Sequence, residues 1–114
     1  MSDRPLALVI DPDPGFLSRA ASCLSRAGYQ ARERLSPAGL RDFTSALRPE
    51  LILLGTPFWE RGWAQVFRTY SPESVVFPVA PRSDDPGVAD LRRLPLLLGP
   101  PRRRAPGTGE GDAA

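Results

Sequence analysis

Four large aliphatic side chains in a row, Leu51-Ile52-Leu53-Leu54, stand between a Pro49-Glu50 entry and a Gly55-Thr56-Pro57 exit. A run this short and apolar on both sides reads as a strand buried on both faces. Such strands are typical of parallel sheets covered by helices on each side. In open sheets of that kind, ligands and chemistry sit just past the C-terminal ends of the strands. Gly55 occupies that place here and brings no side chain to it.

The rest of the chain alternates around this strand. Leu6 to Ile10 is a second all-apolar strand, ending in Asp11-Pro12-Asp13-Pro14-Gly15. Asp13 suits a helix N-cap, and Pro14 suits the first helical position, where its missing N–H costs nothing. A helix follows from Pro14 to Ala27. Phe16, Leu17, Ala20, Cys23, Leu24 and Ala27 form its apolar face, and Gly28 is its stop. Tyr29 to Leu35 is charged along its second half and fits an edge strand. The spacing predicts a helix over Pro37–Leu47 with Leu40, Phe43, Ala46 and Leu47 inward. After a loop at 56–62, a further helix runs over Trp63–Tyr70. Val75 to Ala80 reads as a fourth strand, although Pro78 cannot donate to a ladder and is uncomfortable in a central position. A loop at 81–87, two helical turns over Val88–Leu94 and a fifth strand at Leu96-Leu97-Leu98 complete the pattern, closed by Gly99-Pro100-Pro101. Residues 5–101 make one domain. Residues 102–114 have no large apolar side chain and are expected to be disordered.

The alternation implies an α/β fold, a three-layer α/β/α arrangement with a five-stranded parallel sheet. Right-handed crossovers leave few topologies. The flavodoxin-like order 2-1-3-4-5 puts the polar second strand at an edge and the apolar first and third at the centre.

Composition removes several chemistries. All 15 basic residues are Arg, so no lysine chemistry is available, and there is no His to act as general base or neutral metal ligand. The single Cys23 sits on an apolar helix face and reads as core; alone, it forms no internal disulfide and fits a reducing compartment. The Leu6–Ile10 run is too short for a signal peptide core or a membrane span, and a cytoplasmic location is expected. Residues 1–101 hold 12 Arg against 11 acids, so the remaining basic excess is Arg102-Arg103-Arg104. A nucleic-acid role needs a broader patch and is not favoured.

In order and spacing, these segments resemble the receiver domains of two-component response regulators over roughly residues 5–101. Leu-Val-Ile-Asp-Pro-Asp-Pro-Gly-Phe is similar to the first strand and acidic turn of that family. Ala-Gly-Tyr-Gln-Ala resembles the turn into the second strand, and Val-Ala-Pro-Arg-Ser-Asp the segment after the fourth. Arg-Pro-Glu-Leu-Ile-Leu-Leu is the most specific match. The resemblance implies an acceptor carboxylate after the third strand, two acids after the first that hold Mg²⁺, a hydroxyl after the fourth strand and a Lys after the fifth. Carried over residue by residue, the acceptor position is Gly55. Asp11 keeps one acid, but the next position is Pro12. The hydroxyl position is Ala80 and the Lys position Gly99, with Pro100 after it. Pro57 also comes earlier than in the family.

Four of the five groups are therefore missing, and the resemblance implies a degenerate receiver that cannot take up phosphate by the family route. No cofactor is expected, Mg²⁺ included. Asp11 and Asp13 remain cation candidates, but a turn acid followed by an N-cap is the favoured reading. The expected role is a phosphorylation-independent protein-interaction module, engaging a partner protein or a second copy, with no enzymatic activity. Because Pro100-Pro101 and the polar tail cannot make the family's final helix, the sheet face beside the first helix is expected to lie partly open. Trp59 is a candidate contact in the loop after Gly55. Two alternatives stand beside this: a phosphorelay receiver with a residual metal or phosphate response, and a flavodoxin-like module for a small ligand.

Overall fold

The apolar strands and amphipathic helices assemble around a four-stranded parallel sheet in the order β2-β1-β3-β4. The computed structural model describes residues 4–98. Its elements are β1 (Leu6–Ile10), α1 (Pro14–Arg26), β2 (Gln30–Arg34), α2 (Leu40–Leu47), β3 (Leu51–Gly55), α3 (Thr56–Trp59), α4 (Trp63–Tyr70), β4 (Val75–Val79) and α5 (Leu94–Leu98). β1 pairs with β2 and with β3, and β3 with β4, all in parallel.

Strand side chains alternate between faces, so the sheet feeds two cores. Ala7, Val9, Leu53 and Val79 face α1, against Phe16, Leu17, Ala20 and Leu24. Leu8, Ile10, Ile52 and Leu54 face the other way, against Leu40 and Phe43 of α2 and Phe67 of α4. Each fully buried Leu, Ile or Phe contributes roughly 1.5–3 kcal/mol. This double burial is why β1 and β3 carry no polar side chain.

The helix starts follow local chemistry. Asp13 caps α1, its carboxylate accepting from the Gly15 and Phe16 amides. α2 begins at Leu40, later than Pro37, because Ser36 Oγ accepts from Ala38 N–H and Gly39 then takes a left-handed φ of 77°. Its buried face is Leu40, Phe43 and Thr44, while Ala46 is exposed. Thr44 hides its hydroxyl by donating to the Leu40 carbonyl at 2.6 Å.

Three expectations from the sequence are corrected beyond β4. The sheet has four strands in the described residues. Leu96–Leu98 lies inside α5, and the fifth-strand position is reduced to one bridge between Val79 and Ala89. A bare leucine run has no period to separate strand from helix, and Leu is the better helix former. The helix suggested over residues 88–94 does not form; residues 88–93 turn and bridge, and Leu94 opens α5. The final helix is not wholly lacking, since α5 packs beside α1 with Leu94 in the core. Its described part is about 7.5 Å long, against about 16 Å for a five-residue strand.

The loss of the fifth strand also explains Pro78. β4 is an edge, and the Pro78 carbonyl accepts from Ala89 N–H on the outer side. A residue's N–H and C=O point the same way in a parallel strand, so the missing donor faces outward. β2 is the other edge, carrying Arg32, Glu33 and Arg34.

Candidate functional site

The C-terminal ends of β1, β3 and β4 bring Asp11, Gly55 and Ala80 to one rim of the sheet. Asp11 follows β1 directly, its N–H donating to the Arg34 carbonyl. Its side chain is only 3% exposed. One carboxylate oxygen, Oδ1, accepts from Asp13 N–H at 2.9 Å. The other, Oδ2, lies against Gly55. A Cβ built on Gly55 would overlap Oδ2 and stand 3.0 Å from Asp11 Cγ and from the Ile10 carbonyl oxygen. The backbone of Gly55, φ −56° and ψ 142°, suits any residue. Glycine is required for space, and the space is taken by Asp11.

This arrangement has an electrostatic cost. Burial pushes the Asp11 carboxyl above its usual range; the Asp13 amide opposes the rise, and the negative charge of Asp13 adds to it. Between the ordinary value of 3.8 and the raised one, the folded chain binds more protons than the unfolded chain. Stability therefore falls as pH rises through that window. Asp11→Asn keeps an acceptor for Asp13 N–H and removes the buried charge. It is expected to raise the neutral-pH melting temperature by about 2–5 °C, with the gain disappearing below the carboxylate range. Thermal melts of both proteins across pH check this.

The other predicted positions do not converge on Asp11 as a reactive set. Asp13 is exposed and engaged with the α1 amides, and Pro12 is exposed and offers no ligand. Ala80 is buried and donates its N–H to the Ala89 carbonyl. Trp59 ends α3, packs on the α2/α4 side and lies under the Arg68 guanidinium, 5.6 Å from the ring centroid. Gly99, Pro100 and residues 102–114 lie outside the described residues. Cys23 is buried, with Arg26 Nη2 3.7 Å from its sulfur. Among the described residues no cluster of three or more acidic, Cys or His side chains could hold a metal ion. No described helix is long and apolar enough to cross a membrane.

One organised cluster was not anticipated. Asp90 is fully buried and accepts from the amides of Ser83, Arg92 and Arg93, each at 3.0 Å, and from Arg92 Nη2 at 2.8 Å. Arg93 Nη2 donates to the carbonyls of Ser83, Asp85 and Val88. The Arg92 guanidinium, with burial opposing and the Ser83 and Arg93 amides assisting, holds the Asp90 carboxyl well below the usual range. The cluster ties residues 83–88 to the start of α5. Its signal in the sequence was an acid placed just before Leu-Arg-Arg and a leucine run, the position of a helix cap.

The sequence matches no family model and no curated protein. Solved structures do match. A response regulator from Thermotoga maritima superposes with a TM-score of 0.63 at 15% identity, over 85% of this chain and 80% of that one. The chain has a receiver-like fold. A response regulator protein from Burkholderia pseudomallei, with a phosphorylated aspartic acid, calcium ion and citrate, gives 0.60 at 16% identity, over 84% of this chain and 56% of that one. The signal receiver domain of the putative response regulator NarL from Mycobacterium tuberculosis gives 0.54 at 21% identity, over 85% and 79%. At these identities the shared property is the fold.

Proposed function

We propose that this receiver-like domain serves signal transduction as a protein-interaction module that does not depend on its own phosphorylation. One observation carries the reading: the Asp11 carboxylate is packed into the space above Gly55, where an acceptor side chain would start. Gly55 has no nucleophile to offer. Asp11 is buried and hydrogen-bonded, and its free oxygen faces backbone and not solvent. The residues present do not fit a divalent cation of the Mg²⁺ type, which wants near-octahedral oxygen ligands. Asp13 is committed to capping, and the third strand contributes no carboxylate. On this reading the domain is non-enzymatic and takes up neither a metal ion nor an acyl phosphate.

In receivers generally, a chemical event biases a two-state equilibrium that other proteins read by contact. Here the contact surface remains and the chemical trigger does not. Trp59 and Trp63 pack on the α2/α4 side and report on that half of the fold. Their fluorescence is expected to stay unchanged when Mg²⁺ and beryllofluoride, a phosphoryl mimic, are added together. A saturable change in that titration would overturn the reading.

A further inference from the structure

Resting on the reading above, we infer that the outer face of α2 and α4 is the contact surface of this domain, and that it takes an acidic segment of a partner protein. Three guanidinium groups lie over aromatic rings there. Arg34 of β2 covers Phe43 of α2 at 4.6 Å from the ring centroid, Arg41 of α2 covers Tyr70 of α4 at 5.9 Å, and Arg68 of α4 covers Trp59 of α3 at 5.6 Å. The stacks run in series across the layer, each joining one element to the next. All three arginines are exposed. Among the described residues no carboxylate pairs with any of them; the ion pairs there are those of Asp90. A guanidinium flat against a ring keeps its in-plane N–H donors clear of the ring, in the fork geometry that matches a carboxylate. The ring also restricts the side chain beforehand, so less freedom is lost when a partner arrives.

The rest of the face has the make-up of a contact surface. Both tryptophans of the chain, Trp59 and Trp63, are half-buried on this layer, and Tyr70 is 48% exposed. Trp, Tyr and Arg are the residues that carry most binding energy at protein interfaces. Tyr70 also borders a polar hollow of about 260 Å³ between the ends of α2 and α4, where Arg48 brings a fourth guanidinium and Glu73 stands on the same wall as Ser71. Acids interrupt the face: Asp42, Glu60 and Glu73 are exposed among its arginines. That alternation selects the class of partner. A nucleic-acid strand carries a charge at every residue and runs into these acids. A protein segment with carboxylates only at chosen positions meets the stacked arginines and avoids them.

Fluorescence anisotropy of a fluorescein-labelled oligoglutamate peptide, titrated with the full chain at low salt, tests the inference. Saturable binding is expected, weakened about three- to tenfold by Arg41→Gln and by Arg68→Gln and strengthened by Glu73→Gln, with circular dichroism spectra unchanged. Because Arg68 lies over Trp59, binding also changes the tryptophan emission. No binding at low salt overturns the inference, as does binding that both arginine variants leave intact; its loss on replacing Arg102, Arg103 and Arg104 together by Gln would then assign it to the tail. A single-stranded oligonucleotide that binds through Arg41 and Arg68 more tightly than oligoglutamate overturns the class of partner. Repeating the titration with Mg²⁺ and beryllofluoride separates this claim from the one it rests on. A chain that ignores oligoglutamate in both conditions sinks only the contact surface. Binding that appears solely with beryllofluoride sinks the phosphorylation-independent reading.

Discussion

Gly55→Ala is expected to destabilise the domain by about 1–3 kcal/mol, the usual range for adding volume to a filled site. The added methyl group meets the Asp11 carboxylate on one side and the Ile10 carbonyl oxygen on the other. Asp11 is the more mobile of the two, but moving it breaks the hydrogen bond from Asp13 N–H that shapes the turn into α1. The two residues should therefore be coupled. In a double-mutant cycle with Asp11→Ala, the combined cost is expected to fall short of the sum by about 1 kcal/mol. Denaturant unfolding of the four proteins measures it, and strict additivity would show that Asp11 does not occupy the space above Gly55. Gly55→Asp meets the same obstacle with a second negative charge added, so a carboxylate placed at that one position is not expected to take up a phosphoryl group.

Asp90→Ala is expected to have the larger effect on the fold, lowering the melting temperature by roughly 10 °C or more. The substitution leaves the amides of Ser83, Arg92 and Arg93 without their acceptor and removes the ion-pair partner of Arg92 and Arg93. It also releases α5 from residues 83–88, and with it the cover that Leu94 gives to Leu53 and Val79. The pH dependence runs opposite to that of Asp11. A carboxyl held below its ordinary value of 3.8 gives stability that is present above that pH and is lost as pH falls through the range beneath it. Wild-type melts should show this acid limb, and Asp90→Ala should flatten it. Asp90→Asn preserves the shape but not the charge, and should fall between the two. A melting temperature unchanged by Asp90→Ala would mean that the segment from 81 to 98 is held by its apolar contacts alone.

The parts of the fold that sequence reading reached are those where one signal dominates. β1 and β3 are apolar on both faces, and nothing but burial on both faces explains that. α1 carries its cap, its proline and its apolar stripe in register. The charged β2 could only be an edge. Pro78 was correctly uncomfortable in a central strand, and the resolution is that β4 is an edge too.

Where reading failed, long-range partners decided the local structure. Leu96 to Leu98 is helical because Asp90 and Arg93 turn the chain into α5 and because Leu94 finds a place beside α1. Asp90 and Arg93 share one short window with the leucines, but the α1 surface that Leu94 meets does not. The same holds at the site. Gly55 could be seen to lack a nucleophile, but that Asp11 reaches across from the neighbouring strand to fill the space depends on the β1–β3 pairing. Trp59, placed in a loop by its Pro and Gly neighbours, ends a short helix and packs against the sheet.

The central claim is that the rim of this sheet offers contact and no phosphoryl acceptor. Intact-protein mass spectrometry after incubation of the full chain with acetyl phosphate and Mg²⁺, at neutral pH and without acid quenching, tests it directly. The expected spectrum shows the unmodified mass alone. A species heavier by one phosphoryl group, lost on treatment with hydroxylamine as an acyl phosphate would be, would contradict the account.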